Sequence, residues 1–292
     1  MERWILTAVW ATLPVTAGGA IADATAGWST GPQLVAAVLS WGAWAVGVLA
    51  VVVPRPVGLT AVRAIAPCFL VLAIVIAATA DVDAGVATAA VVATLVAQVL
   101  VSRPTVAFLA VNAASYGDEA RFPLRVPPGL FLAPLPLARL LLGAAVVTGP
   151  LLLADAQWVA GTVAVVVGVP VAVLTARALH GLSSRFAVLV PAGFAVVDPL
   201  TLSDPVLFPR ERIVTLQPVG ATPPPGDDLL DLRLGASLGG LALTFESPAE
   251  VYRSARGRRG ATAVRTTRVC IAAQGHTRLL AQAAERRIPV VT

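Results

Sequence analysis

The stretch WVAGTVAVVVGVPVAVLTARALHGLSSRFAVLVPAGFAVVD, residues 158–198, changes character in its middle. Up to Ala176 it carries no charge and is rich in β-branched residues. At 1.5 Å per residue that run is long enough to cross a hydrocarbon layer about 30 Å thick. From Phe186 onward the text breaks into short β-favouring runs divided by Pro, Gly and Asp, the pattern of half-buried strands. Arg177 and Arg185 stand at the junction. A membrane-length helix gives way here to a small sheet domain.

Working upstream, uncharged or nearly uncharged apolar runs recur at residues 4–22, 34–53, 62–80, 84–101 and 135–154, beside 158–176. The run at 135–154 has the least sharp start, because Pro134, Pro136 and Arg139 crowd it. Composition agrees: 57% of residues are hydrophobic and 13% charged, with a mean hydropathy of +0.84, whereas soluble domains carry about a quarter charged residues. The sequence therefore predicts an α-helical polytopic membrane domain over residues 1–182, with about six transmembrane helices and a cytoplasmic loop at 102–134. A small cytoplasmic α+β domain follows over residues 183–292, built of antiparallel strands and a final helix.

All 21 basic residues are arginine. Without a lysine there is no Schiff base to a cofactor and no ordinary P-loop, so those chemistries drop out. The arginines also orient the chain. Arg3, then Arg55 and Arg63, then Arg103, Arg121 and Arg125, and finally Arg177 and every later arginine fall on alternate connections, while Asp23, Asp81 with Asp83, and Asp155 occupy the others. Basic loops stay cytoplasmic, which predicts a multi-pass protein of the cytoplasmic (plasma) membrane with both termini inside. Trp28 and Trp158 then mark the outer interface and Trp4 the inner one. The first run also reads as a signal peptide with small residues at 22–24 as its cleavage site, and its removal would leave five spans.

Within the spans, Arg63, Arg139 and Arg177 are expected as membrane-interface anchors whose heads reach the headgroups. A transport role would require Arg63, Arg139 or Gln98 to face a cavity. No carboxylate falls near the middle of a span. Gly85, Ala89, Ala93 and Ala97 predict a small-residue packing face on the fourth helix. Pro67, Pro150 and Pro170 are expected to kink or interrupt theirs. In the loop, residues 105–111 and 120–126 flank the turn-like SYGDE and suggest a hairpin or an interfacial segment. Cys68 and Cys270 are expected as free thiols.

The tail reads as FAVLVP, FAVVD, RIVTLQPV, DLLDLRLG and LALTFES, followed by a helix carrying Leu279, Leu280, Ala283 and Ala284 and stopped by Pro289. This order resembles the bacterial PH-like domains attached to membrane helices. The whole chain, with its Arg-for-Lys bias and abundance of Ala, Val, Gly and Pro, resembles actinobacterial polytopic membrane proteins with a C-terminal domain of that kind. The resemblance implies a docking domain for a protein or a lipid and implies no reaction. TPPPGDD, residues 222–228, departs from it as a Pro-rich insertion.

Residues 252–268 contain Arg253, Arg256, Arg258, Arg259, Arg265 and Arg268 and no acid. They read as a solvated loop, as a contact for anionic phospholipid, or as a grip on another polyanion; specific nucleic-acid binding is not expected, because no interleaved aromatic accompanies them. His180 and His276 lack neighbours at metal-ligand spacing, and Ser183 and Ser184 lack an oriented acid. The expected function is a non-enzymatic membrane protein without cofactor, docking a protein partner on the cytoplasmic face or an inner-leaflet lipid. The rival readings are a transporter or permease component for a small or lipidic solute, and an enzyme that gathers His180, Asp118 and Glu119 in one pocket.

Overall fold

A computed structural model describes residues 2–222, 228–254 and 260–291. Its helices are α1 (Glu2–Thr25), α2 (Thr30–Val52), α3 (Pro56–Thr79), α4 (Ala84–Ser102), the short α5 (Pro104–Asn112) and α6 (Pro128–Leu132), α7 (Pro134–Ala154), α8 (Trp158–Ser183) and α9 (His276–Glu285). Six of them, α1 to α4, α7 and α8, are long and apolar enough to cross a membrane. The chain forms two compact units: Met1–Ala110 with Ala133–His180, and Val111–Leu132 with Gly181–Thr292.

In the first unit, Leu6, Trp10, Val51, Val62, Ala97 and Val101 form one apolar layer, and Ala17, Ala20, Ala73, Ile76 and Ala90 form another. Two indoles join α1 to α2 by a reciprocal exchange. Trp10 Nε1–H donates to the Trp44 carbonyl at 3.0 Å and Trp44 Nε1–H donates to the Trp10 carbonyl at 2.9 Å, so neither polar group is left unpaired in apolar surroundings. The Trp10 ring lies on Gly47, where a Cβ would collide with it. Glycines also bring α7 and α8 together: a Cβ on Gly168 would lie 2.7 Å from the Ala145 carbonyl oxygen, and one on Gly161 would lie 2.9 Å from the Leu153 nitrogen.

Contacts at the helix ends fix the alternation of direction. Gly31, at the start of α2, abuts Ala154, at the end of α7. Thr60, early in α3, hydrogen-bonds His180, late in α8, at 3.2 Å. Arg63 Nε–H donates to the carbonyl of Val101, near the end of α4, at 3.2 Å. The helix ends bearing Asp23, Asp81, Asp83 and Asp155 thus make one pole of the unit, and those bearing Arg55, Arg63, Arg103, Arg139 and Arg177 make the other.

Several expectations need correcting. Residues 105–111 are helical, not a strand: Pro104 opens α5, and Ala107 and Ala110, three apart, bury together against Leu59, so helical spacing overrides the β preference of Thr, Val and Phe. The packing face of α4 is Ala87, Ala90, Thr94, Ala97 and Val101, while Gly85 and Ala89 are exposed. Steps of four drift about 40° each around a helix of 3.6 residues per turn, so only alternate steps of three and four stay on one face. Of the kinks or interruptions expected at Pro67, Pro150 and Pro170, the interruptions do not occur: the helices continue through all three.

The second unit holds β1 (Ala120–Pro123), β2 (Phe186–Val190), β3 (Gly193–Val197), β4 (Val206–Pro209), β5 (Ile213–Val219), β6 (Leu229–Asp231), β7 (Gly240–Ser254) and β8 (Ala261–Ala272). One antiparallel sheet has the order β1-β2-β3-β4, and the other the order β5-β7-β8-β6, with β6 parallel to β8. β1 comes from the loop assigned by sequence to the helical domain, yet it pairs Ala120 with Leu189 and Pro123 with Phe186. The sheets meet where Phe208 stacks on Phe245, centroids 4.5 Å apart, and at the bridges Leu124↔Ala273 and Leu202↔Arg253. Leu279, Leu280 and Ala283 of α9 are buried. The Pro-rich insertion lies mostly outside the described residues.

Inside this unit Arg185 is 1% exposed and Asp198 2%. Arg185 Nε–H and Nη2–H donate to the two carboxylate oxygens of Asp198 at 2.9 and 2.8 Å, and its remaining donors reach the carbonyls of Arg125 at 3.2 Å and Leu232 at 2.9 Å. One guanidinium therefore ties β2, the end of β3, the chain after β1 and the chain after β6. Breaking a buried pair leaves a bare charge, so Asp198→Ala should destabilise the sheet unit by about 3–5 kcal/mol. Hydrogen exchange of the β2 and β3 amides in the full chain reads this loss, and the double variant Arg185→Met, Asp198→Leu should lose less.

Candidate functional site

The arginine pole of the helical unit is built by helix direction. Side chains on a helix lean toward its N-terminus, and α3 and α7 both begin at this pole, so Arg63 and Arg139 lean the same way. Both are partly buried. Arg177 is exposed in the latter part of α8. All three expected anchors thus lie toward the same pole of the helical unit.

The described parts of the arginine-rich segment, 252–254 and 261–268, are strand. β7 and β8 pair along their whole length around a bulge: Thr244 faces Arg268, then Ala249 faces Thr266, with Pro248 in the extra residues, where a strand tolerates proline. β5 covers only the first half of β7 and β6 only the last part of β8. Beyond the bulge the hairpin has neither β5 nor β6 beside it and forms a ribbon flanked on the β7 side only by residues 201–203, through the Leu202↔Arg253 bridge and the Ser254 N–H to Thr201 carbonyl bond. Arg253 and Arg265 on it are exposed and Arg268 at its base is half-buried; Arg256, Arg258 and Arg259 lie outside the described residues.

Register decides where these charges point. Arg265 faces Glu250 and Arg253 faces Thr262, and cross-strand partners share a face while successive residues alternate. Arg253 and Arg265 therefore project from opposite faces of the ribbon. Glu250, the acid opposite Arg265, also accepts the Tyr252 hydroxyl at 2.7 Å, which holds that phenol above its ordinary value. The segment that is free of acid in sequence has a carboxylate beside it in space.

His180 bonds Thr60, while Glu119 pairs with Arg121 at 2.9 Å. Among the described residues no three His, Cys, Asp or Glu side chains converge as a metal site. A cavity of about 630 Å³ is lined mainly by α1 and α2, among others by Leu13, Gln33, Ser40, Trp41 and Trp44; the transport reading asked for a cavity faced by Arg63, Arg139 or Gln98, and none of the three lines this one. No family model, curated protein or solved structure matches the chain. The functional reading rests on geometry.

The base of the ribbon is braced by a second arginine pair. Arg233 is 4% exposed, and its Nε–H and Nη2–H each donate at 2.9 Å to an oxygen of Asp231, at the end of β6. Burial alone would raise the Asp231 carboxyl, but the hydrogen bonds and charge of Arg233 outweigh it and hold the group below the usual carboxylate range. Nearby, burial pushes the Cys270 thiol up to about 11, and both cysteines are free. A depressed carboxyl gives stability that is complete above its unfolded value of about 4 and is lost as pH falls through the lower folded value. Acid titration of the full chain, followed by hydrogen exchange in β6 and β8, should show protection falling below about pH 4; Asp231→Asn should lower protection at neutral pH and flatten that acid limb.

Proposed function

We propose that this chain is a non-enzymatic integral membrane protein of the cytoplasmic membrane, with both termini inside, whose sheet domain is a PH-like module that docks anionic inner-leaflet lipid. The single observation that carries the reading is the separation of charge between the two poles of the helical unit. Arginines at one end and aspartates at the other are what six membrane-crossing helices with a basic cytoplasmic side require. The PH-like assignment is supported by the order of strands and the closing helix, as the sequence resemblance implied.

The ribbon is the docking element. Each exposed arginine near an anionic leaflet contributes about 1 kcal/mol before salt screens it. Because Arg253 and Arg265 point to opposite faces, the ribbon presents charge edge-on, suited to entering a headgroup layer and poorly suited to lying flat on a surface. The net charge of +5 favours the same partner.

The test uses the full chain in nanodiscs, with an environment-sensitive dye on Thr262→Cys. In phosphatidylglycerol discs the dye should report a less polar, salt-sensitive environment than in phosphatidylcholine discs, and Arg253→Ser with Arg265→Ser should abolish the difference. Equal signals in the two lipids would remove lipid docking and leave a protein partner for the domain.

A further inference from the structure

Near their middle α1 and α2 are clamped together, where Trp10 and Trp44 exchange hydrogen bonds and the Trp10 ring lies on Gly47. At the aspartate pole the short turn 26–29 joins them again. The cavity of about 630 Å³ lies between these two closures, with Phe69 of α3 contributing to a further wall. Gly18 and Gly19 of α1 line it, and a Cβ on Gly19 would meet nothing within 4 Å. Elsewhere in the unit glycines let neighbouring helices touch, as at Gly47, Gly161 and Gly168; here they leave room. Leu34 and Trp41 also line the cavity and are exposed, so it is a groove open at the lateral surface of the unit.

Polarity is graded along this groove. Thr25, Thr30 and Gln33 stand at its aspartate-pole end. Thr25 satisfies its hydroxyl on the Ile21 carbonyl at 2.8 Å, but the Gln33 carboxamide has no hydrogen-bond partner among the described residues. Deeper in, the lining is apolar apart from the Ser40 hydroxyl and the Trp41 indole nitrogen, and it ends at the edge-to-face pair Trp41 and Trp44, centroids 5.3 Å apart.

Length and depth say what such a groove accepts. Gln33 and Trp44 are separated on α2 by about 16 Å at 1.5 Å per residue. That is half of a hydrocarbon layer about 30 Å thick, the depth of one leaflet. An unpaired carboxamide is costly at the edge of that layer, where water is scarce. One acyl chain answers both features: its methylenes fill the apolar slot, and the ester carbonyl at its head accepts from the Gln33 amide. We propose that the groove binds one acyl chain of a glycerolipid from the leaflet at the aspartate pole, with its ester carbonyl held by Gln33. The proposal rests on the reading that the six long helices cross a membrane and is independent of docking by the ribbon.

The experiment titrates dioleoyl phosphatidylcholine into the full chain in detergent and counts bound lipid by native mass spectrometry. Wild type should keep one lipid under activation that strips loosely attached ones. Gly19→Leu, which fills the space, should weaken that binding about tenfold or more, because several methylenes lose their place. Gly42→Leu, at an open glycine that does not line the groove, should bind as wild type does. Gln33→Leu should weaken binding about fivefold, the net worth of one hydrogen bond. The ether-linked analogue of the lipid has no ester carbonyl, so it should bind wild type more weakly by the same factor and lose nothing further with Gln33→Leu.

No firmly held lipid on wild type, or an equal loss in Gly42→Leu, would overturn the proposal, the second result because it signals general lipid coating. Undiminished binding by Gly19→Leu, or an ether effect that adds to Gln33→Leu, would overturn it as well. Should Gly19→Leu misfold by circular dichroism, Gln33→Leu and the ether lipid decide. The two readings fail separately: a chain that resists alkaline carbonate extraction from membranes but keeps no lipid loses only the groove, whereas a chain released by carbonate loses both.

Discussion

Removing a guanidinium from water costs several kcal/mol unless every donor finds a partner, and this chain, whose basic residues are all arginine, is laid out around that cost. In the helical unit the arginines sit at one set of helix ends. Arg63, the one furthest inside a helix, has a donor satisfied by the Val101 carbonyl. In the sheet unit Arg185 is fully enclosed with each of its three guanidinium nitrogens hydrogen-bonded, and Arg233 is nearly as enclosed and likewise bonded. Arg125 is the departure, with an enclosed donor and no partner.

The sheet unit is discontinuous in sequence, and Arg185 shows why it still closes. Its guanidinium gathers carbonyls from residues 125 and 232 onto the carboxylate of Asp198. β1 therefore belongs to the sheet although two membrane-length helices separate it from β2. A fragment beginning at residue 183 lacks β1 and exposes the edge of β2, a ready site for wrong pairing. The loop between α4 and α7 is in this sense part of the domain that follows α8.

The six long helices were legible because an uncharged apolar run of that length is too long for a strand and too greasy on every face for a helix in water. Their ends were less so: Pro56 starts α3 six residues earlier than the apolar run suggested, and α8 continues through Arg177 and His180 to Ser183. Strands were legible where they alternate over a few residues, as at β2, β3 and β5. β8 was not, because its arginines imitate a solvated loop, although Val264, Thr266 and Arg268 turn at least partly inward. β1 could not have been paired from sequence, since its partner lies more than sixty positions away. The six arginines of the candidate site were visible as a cluster, but their register, and with it the opposite faces of Arg253 and Arg265, is a property of the hairpin.

The most direct measurement is of sidedness. Gly27→Cys lies on the exposed turn between α1 and α2 at the aspartate pole, and Thr262→Cys lies on the exposed ribbon. With a membrane-impermeant maleimide on intact cells, Gly27→Cys should be labelled and Thr262→Cys should stay unlabelled until the membrane is permeabilised. Labelling of Thr262→Cys in intact cells would contradict the account.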